Sequence, residues 1–476
     1  MPTAAPPRSE AAAPAPLVAR LGKALAKRGV SYCQWKGHGK RERWESGRGD
    51  IDLLVDRAAW RDFAAVLGEL GFKLILPPPG REAAGVFHYF GLDERTGKLI
   101  HVHAYARLVI GLPWRTHYRL PLERALLDSA VQQAVFKAPA PELELIVQVL
   151  RMSLRHGLLD PLRRTPPHWL DGALPELDRL EEQAAPAAVH AALRRYLPEV
   201  SDHLFERCRN ALGPHSPPRR RPAARLMLEQ ALAAHRAPRA LFAPAERVLR
   251  RLAPQGQRLA AGGSVIALLG GDGAGKSTCA EALDAWLRPA VATLHLHLGR
   301  PSRSLATLVV GGMLKLARLV GAQRLVAHLE LLRHGCTARD RFRAYRKARR
   351  FAADGGIAIC ERYPTPEGWA LAGPSEVQEG GNNQALDAAS ALAAGLRRWE
   401  RRYYERMAPP DLTFVLFLDA EKAVSRKPAE PADYVRERAR LIRQTDWSRS
   451  GAREIDAAQP LPQVIATLKA QLWSTL

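Results

Sequence analysis

The sequence predicts an α/β chain built from more than one unit, and three observations carry that prediction. Its 476 residues exceed what one hydrophobic core ordinarily holds. Apolar runs of strand length at 51–55, 265–269, 357–360 and 414–418 alternate with segments whose apolar residues recur every three or four positions. One of those runs, 265–269, leads straight into a glycine-rich turn and then a helical face formed by Cys279, Leu283, Trp286 and Leu287. Hydrophobic residues make up 47% of the chain and charged residues 25%, which excludes a chain disordered throughout.

Residues 1–16 are rich in Ala, Pro and Ser without periodicity and are expected to form a disordered arm. A first α/β domain is expected over 17–124. Within it, 32–35 reads as a short strand and 51–55 as a buried one. Asp56 reads as the N-cap of a helix carrying Trp60, Phe63, Ala64, Leu67 and Leu70, which Gly71 ends. The segments 87–92 and 98–105 read as two strands joined by a turn at 93–97. Over 125–255, Leu and Ala recur at spacings of three and four, broken by Pro-rich stretches at 165–167 and 214–222, so a helical connector is expected. Its last third is basic, with Arg219, Arg220, Arg221 and Arg225, then Arg247, Arg250 and Arg251. A second α/β domain is expected over 256–476.

Lys and Arg number 71 against 48 Asp and Glu, a net charge of +23. Such a field draws phosphates, nucleic acid or an anionic membrane face, although arginines spread along an Ala- and Pro-rich chain also give a diffusely solvated surface. The five cysteines (Cys33, Cys208, Cys279, Cys336 and Cys360) show no C-x-x-C spacing, so neither a disulfide framework nor a zinc knuckle is expected. The start lacks an apolar signal core, and nothing approaches 18 uncharged apolar residues, so the expected location is the cytoplasm.

The segment 265–278 reads VIALLGGDGAGKST, and Gly270-x-x-x-x-Gly275-Lys276-Ser277 fits the P-loop pattern in its strand–loop–helix context. Glycines let backbone N–H groups curl around phosphate oxygens, and the helix N-terminus adds its positive dipole end. Lys276 is placed to reach the β- and γ-phosphates, and the Ser277 hydroxyl to ligate Mg²⁺. Gly270, Asp272, Gly273, Gly275, Lys276, Ser277 and Thr278 are therefore the candidate nucleotide-binding residues, with ATP and Mg²⁺ as the expected cofactors.

The run GGDGAGKST resembles the P-loop of thymidylate kinases. Three later pieces agree in order. A strand run at 357–360 ends in Glu361-Arg362-Tyr363, similar to that family's Asp-Arg-Tyr; Pro410-Asp411-Leu412-Thr413 precedes the run 414–418; and Asp419 to Arg426 leads toward an arginine-rich, lid-like stretch with Lys427, Arg436, Arg438 and Arg440. Glu454-Ile455-Asp456 resembles the last strand. The resemblance covers roughly 264–476. It implies a P-loop NTPase parallel sheet with helices on both faces, and it implies roles: Glu361 beside Mg²⁺, Arg362 on phosphate, Asp272 toward an acceptor sugar hydroxyl, Arg436 and Arg438 as lid cations. The acceptor segments depart from the family. Gly299-Arg300-Pro301-Ser302 replaces an Arg-Glu-Pro-Gly segment, Pro364-Thr365-Pro366-Glu367 replaces a base-contacting run, and an Arg-rich helical stretch at 305–350 separates them.

Near the N-terminus, Trp35-Lys36-Gly37 is followed by Asp50-Ile51-Asp52-Leu53, which resembles the nucleotidyltransferase superfamily, in particular members found near polysaccharide genes. Asp50 and Asp52 would share one strand face and hold metal. The strand 99–103 offers His101 and His103 where the family supplies a third carboxylate. The leading expectation is an ATP- and Mg²⁺-dependent kinase that phosphorylates a nucleoside monophosphate or a sugar-linked phosphate, with the pairing of the two modules pointing by resemblance to surface polysaccharide synthesis. An anionic membrane or a glycan-assembly partner is expected at its basic face, and nucleic acid is not the expected partner. Two other readings stay open: nucleotidyl transfer with a regulatory P-loop domain, and a non-enzymatic, nucleotide-gated binding protein.

Overall fold

The computed structural model describes residues 14–78, 85–111, 117–155, 173–213, 216–217, 220–236, 256–369, 373–375 and 391–476. The arm up to residue 13, the break at 165–167, and Arg219, Arg247, Arg250 and Arg251 lie outside the described residues. The chain divides into two compact units, Met1–Gln255 and Gly256–Leu476.

Unit 1 begins earlier than its composition implies. The Ala15 N–H donates to the Glu45 carbonyl at 2.7 Å, and helix α1 (Pro16–Lys27) starts on the next residue. Its stripe of Leu17, Val18, Leu21 and Leu25 is fully buried. Strands β1 (Tyr32–Gln34), β2 (Ile51–Val55), β3 (Lys73–Leu76), β4 (Val86–Asp93) and β5 (Lys98–Tyr105) pair in the order β1–β2–β5–β4–β3. β2 and β5 run parallel and the other pairs antiparallel. Every residue of β2 is buried, so a mostly apolar run, broken only by Asp52, rather than alternation marked it in the sequence. Asp56 does not cap the next helix. Its Oδ1 accepts from the Ala58 N–H at 2.9 Å in a turn, and helix α2 (Trp60–Glu69) follows.

The described helices of the stretch read as a connector pack into unit 1. Helices α3 (Pro141–Arg155), α4 (Leu174–Gln183), α5 (Pro186–Tyr196), α6 (Asp202–Leu212) and α7 (Arg220–Ala231) follow the sheet. One buried cluster joins Trp35, Leu54 and Tyr105 of the sheet region to Ile146, Leu150, Phe205 and Leu228 of these helices. Burial of a Leu or Ile side chain contributes about 1.5–3 kcal/mol, which fixes α3 against the sheet.

Among the described residues, unit 2 has a sheet of five parallel strands: β6 (Ser264–Gly270), β7 (Thr293–His297), β8 (Ile357–Glu361), β9 (Leu412–Phe417) and β10 (Arg453–Asp456). Their order is β7–β8–β6–β9–β10. Around them lie α8 (Lys276–Leu287), α9 (Leu305–Leu319), α10 (Gln323–Ala353), α11 (Ala391–Glu405), α12 (Ala420–Arg426), α13 (Ala432–Gln444) and α14 (Leu461–Thr475). The helical stretch at 305–350 is therefore two helices, with Gly321 between them. Its arginines brace the sheet: Arg341 Nε donates to the Leu298 carbonyl at 3.0 Å, and Arg349 pairs with Asp411 at 2.7 Å. Asp411 also accepts from the Val265 N–H at 2.7 Å, which ties β6 to the start of β9. Among the described residues no helix is long and apolar enough to cross a membrane.

Candidate functional site

The candidate site of unit 2 lies at the carboxyl ends of β6 and β8, where open parallel sheets bind ligands. β6 ends at Gly270 and α8 begins at Lys276, so residues 271–275 form the turn between them. Gly273 and Gly275 have φ of 82° and 87°, a region that L side chains rarely adopt. A Cβ on Gly273 would also stand 2.8 Å from the Ala423 carbonyl oxygen. Gly273→Ala is accordingly expected to destabilise unit 2 by about 1–3 kcal/mol, read as a lower denaturation midpoint without added nucleotide.

Lys276 is buried. Its Nζ donates to the carbonyls of Gly270 at 3.0 Å and Gly271 at 2.7 Å, folding the side chain back along the loop. Burial, aided by the Arg362 guanidinium, lowers its pKa to about 8. The Ser277 hydroxyl donates to Glu361 Oε2 at 2.7 Å. Glu361, the last residue of β8, is buried, and its Oε1 lies 2.9 Å from His295 Nε2 on β7. β8 sits between β6 and β7, with Glu361 beside Leu268 on one side and His297 on the other.

Asp272 is buried between two guanidiniums. Arg362 pairs with its Oδ1, and Arg438 Nε lies 3.7 Å from its Oδ2. Arg362 holds φ of 54°, the one non-glycine residue with positive φ among those described, and its Nε is buried without a hydrogen-bond partner in the structure. Backbone strain of this kind collects at ligand sites. Asp272, Lys276, Ser277, Glu361 and Arg362 line a cavity of about 420 Å³ together with Thr278, His297, Arg426, Lys427 and Gln459.

The structure thus gathers Asp272, Gly273, Gly275, Lys276, Ser277, Thr278, Glu361 and Arg362 on one cavity, with Gly270 at the foot of the loop and Arg438 against Asp272. It does not gather Arg436. That residue pairs with Glu421 at 2.8 Å and Asp433 at 3.1 Å and is not among the groups lining the cavity. Asp272, expected to face an acceptor hydroxyl, is held instead by arginines. Sequence reasoning missed His295, His297, Arg426 and Gln459. The only signal for the histidines was their alternation along a strand. Magnesium suits the donor set: the Ser277 hydroxyl and Glu361 carboxylate are hard oxygens on adjoining elements, and the glycine turn leaves backbone room for phosphate.

In unit 1 the two expected carboxylates are both ion-paired and hydrogen-bonded. Asp52 Oδ1 lies 3.0 Å from Lys36 Nζ and 3.1 Å from both His103 Nδ1 and the Tyr105 hydroxyl. Burial alone would raise the Asp52 pKa, but Lys36 and His103 hold it below the usual carboxylate range. Asp50 Oδ1 faces His101 Nδ1 at 2.9 Å. One carboxylate oxygen of each, expected to hold metal, is thus met by a cation or a hydrogen-bond donor in this structure. Both line a cavity of about 360 Å³ with Lys36, Lys40, Arg43, Arg48 and Arg151, a basic setting.

No protein-family model matches the chain. It is similar to the uncharacterized ATP-binding protein YghR of Escherichia coli K12, at 27% identity over 224 residues that span 42% of this chain and 83% of that relative. YghR of Escherichia coli O6:H1 matches to the same extent.

Proposed function

We propose that unit 2 binds Mg²⁺-ATP and transfers its γ-phosphoryl group to a small acceptor, a nucleoside monophosphate or a sugar-linked phosphate. The observation that carries this reading is the Ser277–Glu361 contact beside Lys276 and Arg362 on one cavity. Phosphoryl transfer asks mainly for positioning and charge neutralisation, and these side chains offer both. The similarity to a protein named as ATP-binding supports the nucleotide. Ser277 and Glu361 would hold magnesium, which neutralises charge on the phosphates when bound. Lys276, Arg362 and Arg438 would bind and orient phosphate oxygens. Pairing with a domain like that of unit 1 supports a place in surface polysaccharide synthesis, with the basic surface facing an anionic membrane or a glycan-assembly partner.

An acceptor screen with γ- and α-labelled ATP tests the reading. Transfer of the γ label supports it; transfer of the α label would assign nucleotidyl transfer, and no transfer to any phosphate acceptor would leave a nucleotide-gated binding protein. Within that screen dTMP is expected to be poor. The segment after β7 is Gly299-Arg300-Pro301-Ser302, and there the Arg300 N–H donates to His297 Nδ1 at 2.9 Å. A dTMP kcat/KM at or above about 10⁴ M⁻¹s⁻¹, the ordinary enzyme range, would contradict that expectation.

A further inference from the structure

Unit 1 carries a group of side chains that the kinase reading does not use. His88 lies on β4, directly opposite His103 on β5, and His101 shares the His103 face of that strand. The ring centroids are 4.1 Å apart for His101 and His103, 4.6 Å for His88 and His103, and 5.5 Å for His88 and His101. One ring nitrogen from each of the three lies within 4.8 Å of the others.

The outer edges of two rings are fixed by carboxylates. His101 Nδ1 meets Asp50 Oδ1 at 2.9 Å, and His103 Nδ1 meets Asp52 Oδ1 at 3.1 Å. An ionised carboxylate only accepts, so both Nδ1 atoms carry the proton, and in the neutral rings both Nε2 atoms are unprotonated and present a lone pair. Asp52 is itself held by Lys36 and the Tyr105 hydroxyl. Phe90 stacks on His101 with centroids 4.0 Å apart and planes 8° apart, which sets that ring's tilt. His88 Nδ1 then faces His101 Nε2 at 3.3 Å. Carboxylate-oriented imidazoles that turn their other nitrogens toward a common point are how proteins prepare histidines for metal.

We propose that His88, His101 and His103 form a binding site for one divalent transition metal of the zinc class, with a coordination position left open. Three imidazoles suit zinc and its borderline neighbours, whereas magnesium prefers oxygen. Asp50 and Asp52 act as positioning residues for His101 and His103.

The test uses the full chain, free of affinity tags and stripped with a chelator, titrated with Co²⁺ and then Zn²⁺. One equivalent of Co²⁺ should develop visible ligand-field absorption that Zn²⁺ bleaches. His88→Gln and His103→Ala should each lose the signal while keeping the parent's far-ultraviolet circular dichroism. Asp50→Asn should retain the stoichiometry and bind about 10–100-fold more weakly, as loss of an orienting partner does. His38→Ala should leave the signal unchanged, since His38 belongs to the other described group within ligating reach, with Glu144 and Glu176. Absence of cobalt absorption in the parent, its persistence in folded His88→Gln, or its loss in His38→Ala would each overturn the site.

Discussion

Lys276→Ala is expected to abolish the stabilisation of unit 2 by Mg²⁺-ATP. A ligand present at 100 times its Kd stabilises the folded state by about 2.7 kcal/mol, and nearly all of that shift should vanish. The ammonium is buried at the foot of α8 and donates to two loop carbonyls. Its loss removes the group placed to neutralise β- and γ-phosphate charge. It also relieves burial of a cation whose pKa burial has already depressed to about 8. The nucleotide-free melting point is therefore a poor readout, and the decisive quantity is the nucleotide-dependent shift, measured by calorimetry on parent and variant. An equal shift in both would remove the phosphate-loop assignment.

Glu361→Gln is expected to lower turnover by about 10²-fold or more, with a much smaller change in ATP affinity. A charged group aimed at developing charge acts mainly in the transition state, and removing one such group commonly costs about 10²–10³-fold. Glutamine keeps the size of the side chain in its buried place and an oxygen for the Ser277 hydroxyl. It surrenders the negative charge that would hold magnesium. Single-turnover kinetics with any accepted acceptor, set beside equilibrium nucleotide binding, separates the two effects. Undiminished turnover would make Glu361 a structural residue that only fixes Ser277 and His295.

The elements legible in the sequence were those marked by local chemistry. β2 and β8 are buried along their whole length, so their apolar runs announced them. The glycine turn declared itself through spacing alone. What stayed hidden depends on contacts far apart in the chain. Arg436 and Arg438 sit two positions apart on α13, about 200° around the helix, and composition does not say which one meets Asp272. His295 looked like any strand residue, because its role comes from the pairing of β7 with β8. Likewise Lys36 meets Asp52 through the antiparallel pairing of β1 with β2, and His88 meets His103 through that of β4 with β5. Asp56 shows the opposite limit: a good capping residue was present, yet its carboxylate closed a turn two residues on.

The left-handed backbone at Arg362 bears on how this protein can be engineered. Any search that rewards heat resistance alone will tend to favour glycine there, because glycine adopts φ of 54° without the penalty that a branched or long side chain bears. The same exchange would strip a guanidinium from the cavity and leave Asp272 with Arg438 as its remaining described ion-pair partner. On the proposed phosphoryl transfer, selection for heat resistance and selection for turnover therefore pull this position in opposite directions. A library built on the chain should hold residue 362 fixed, and take its gains from the outward face of α9, where Leu305, Leu316 and Leu319 stand exposed.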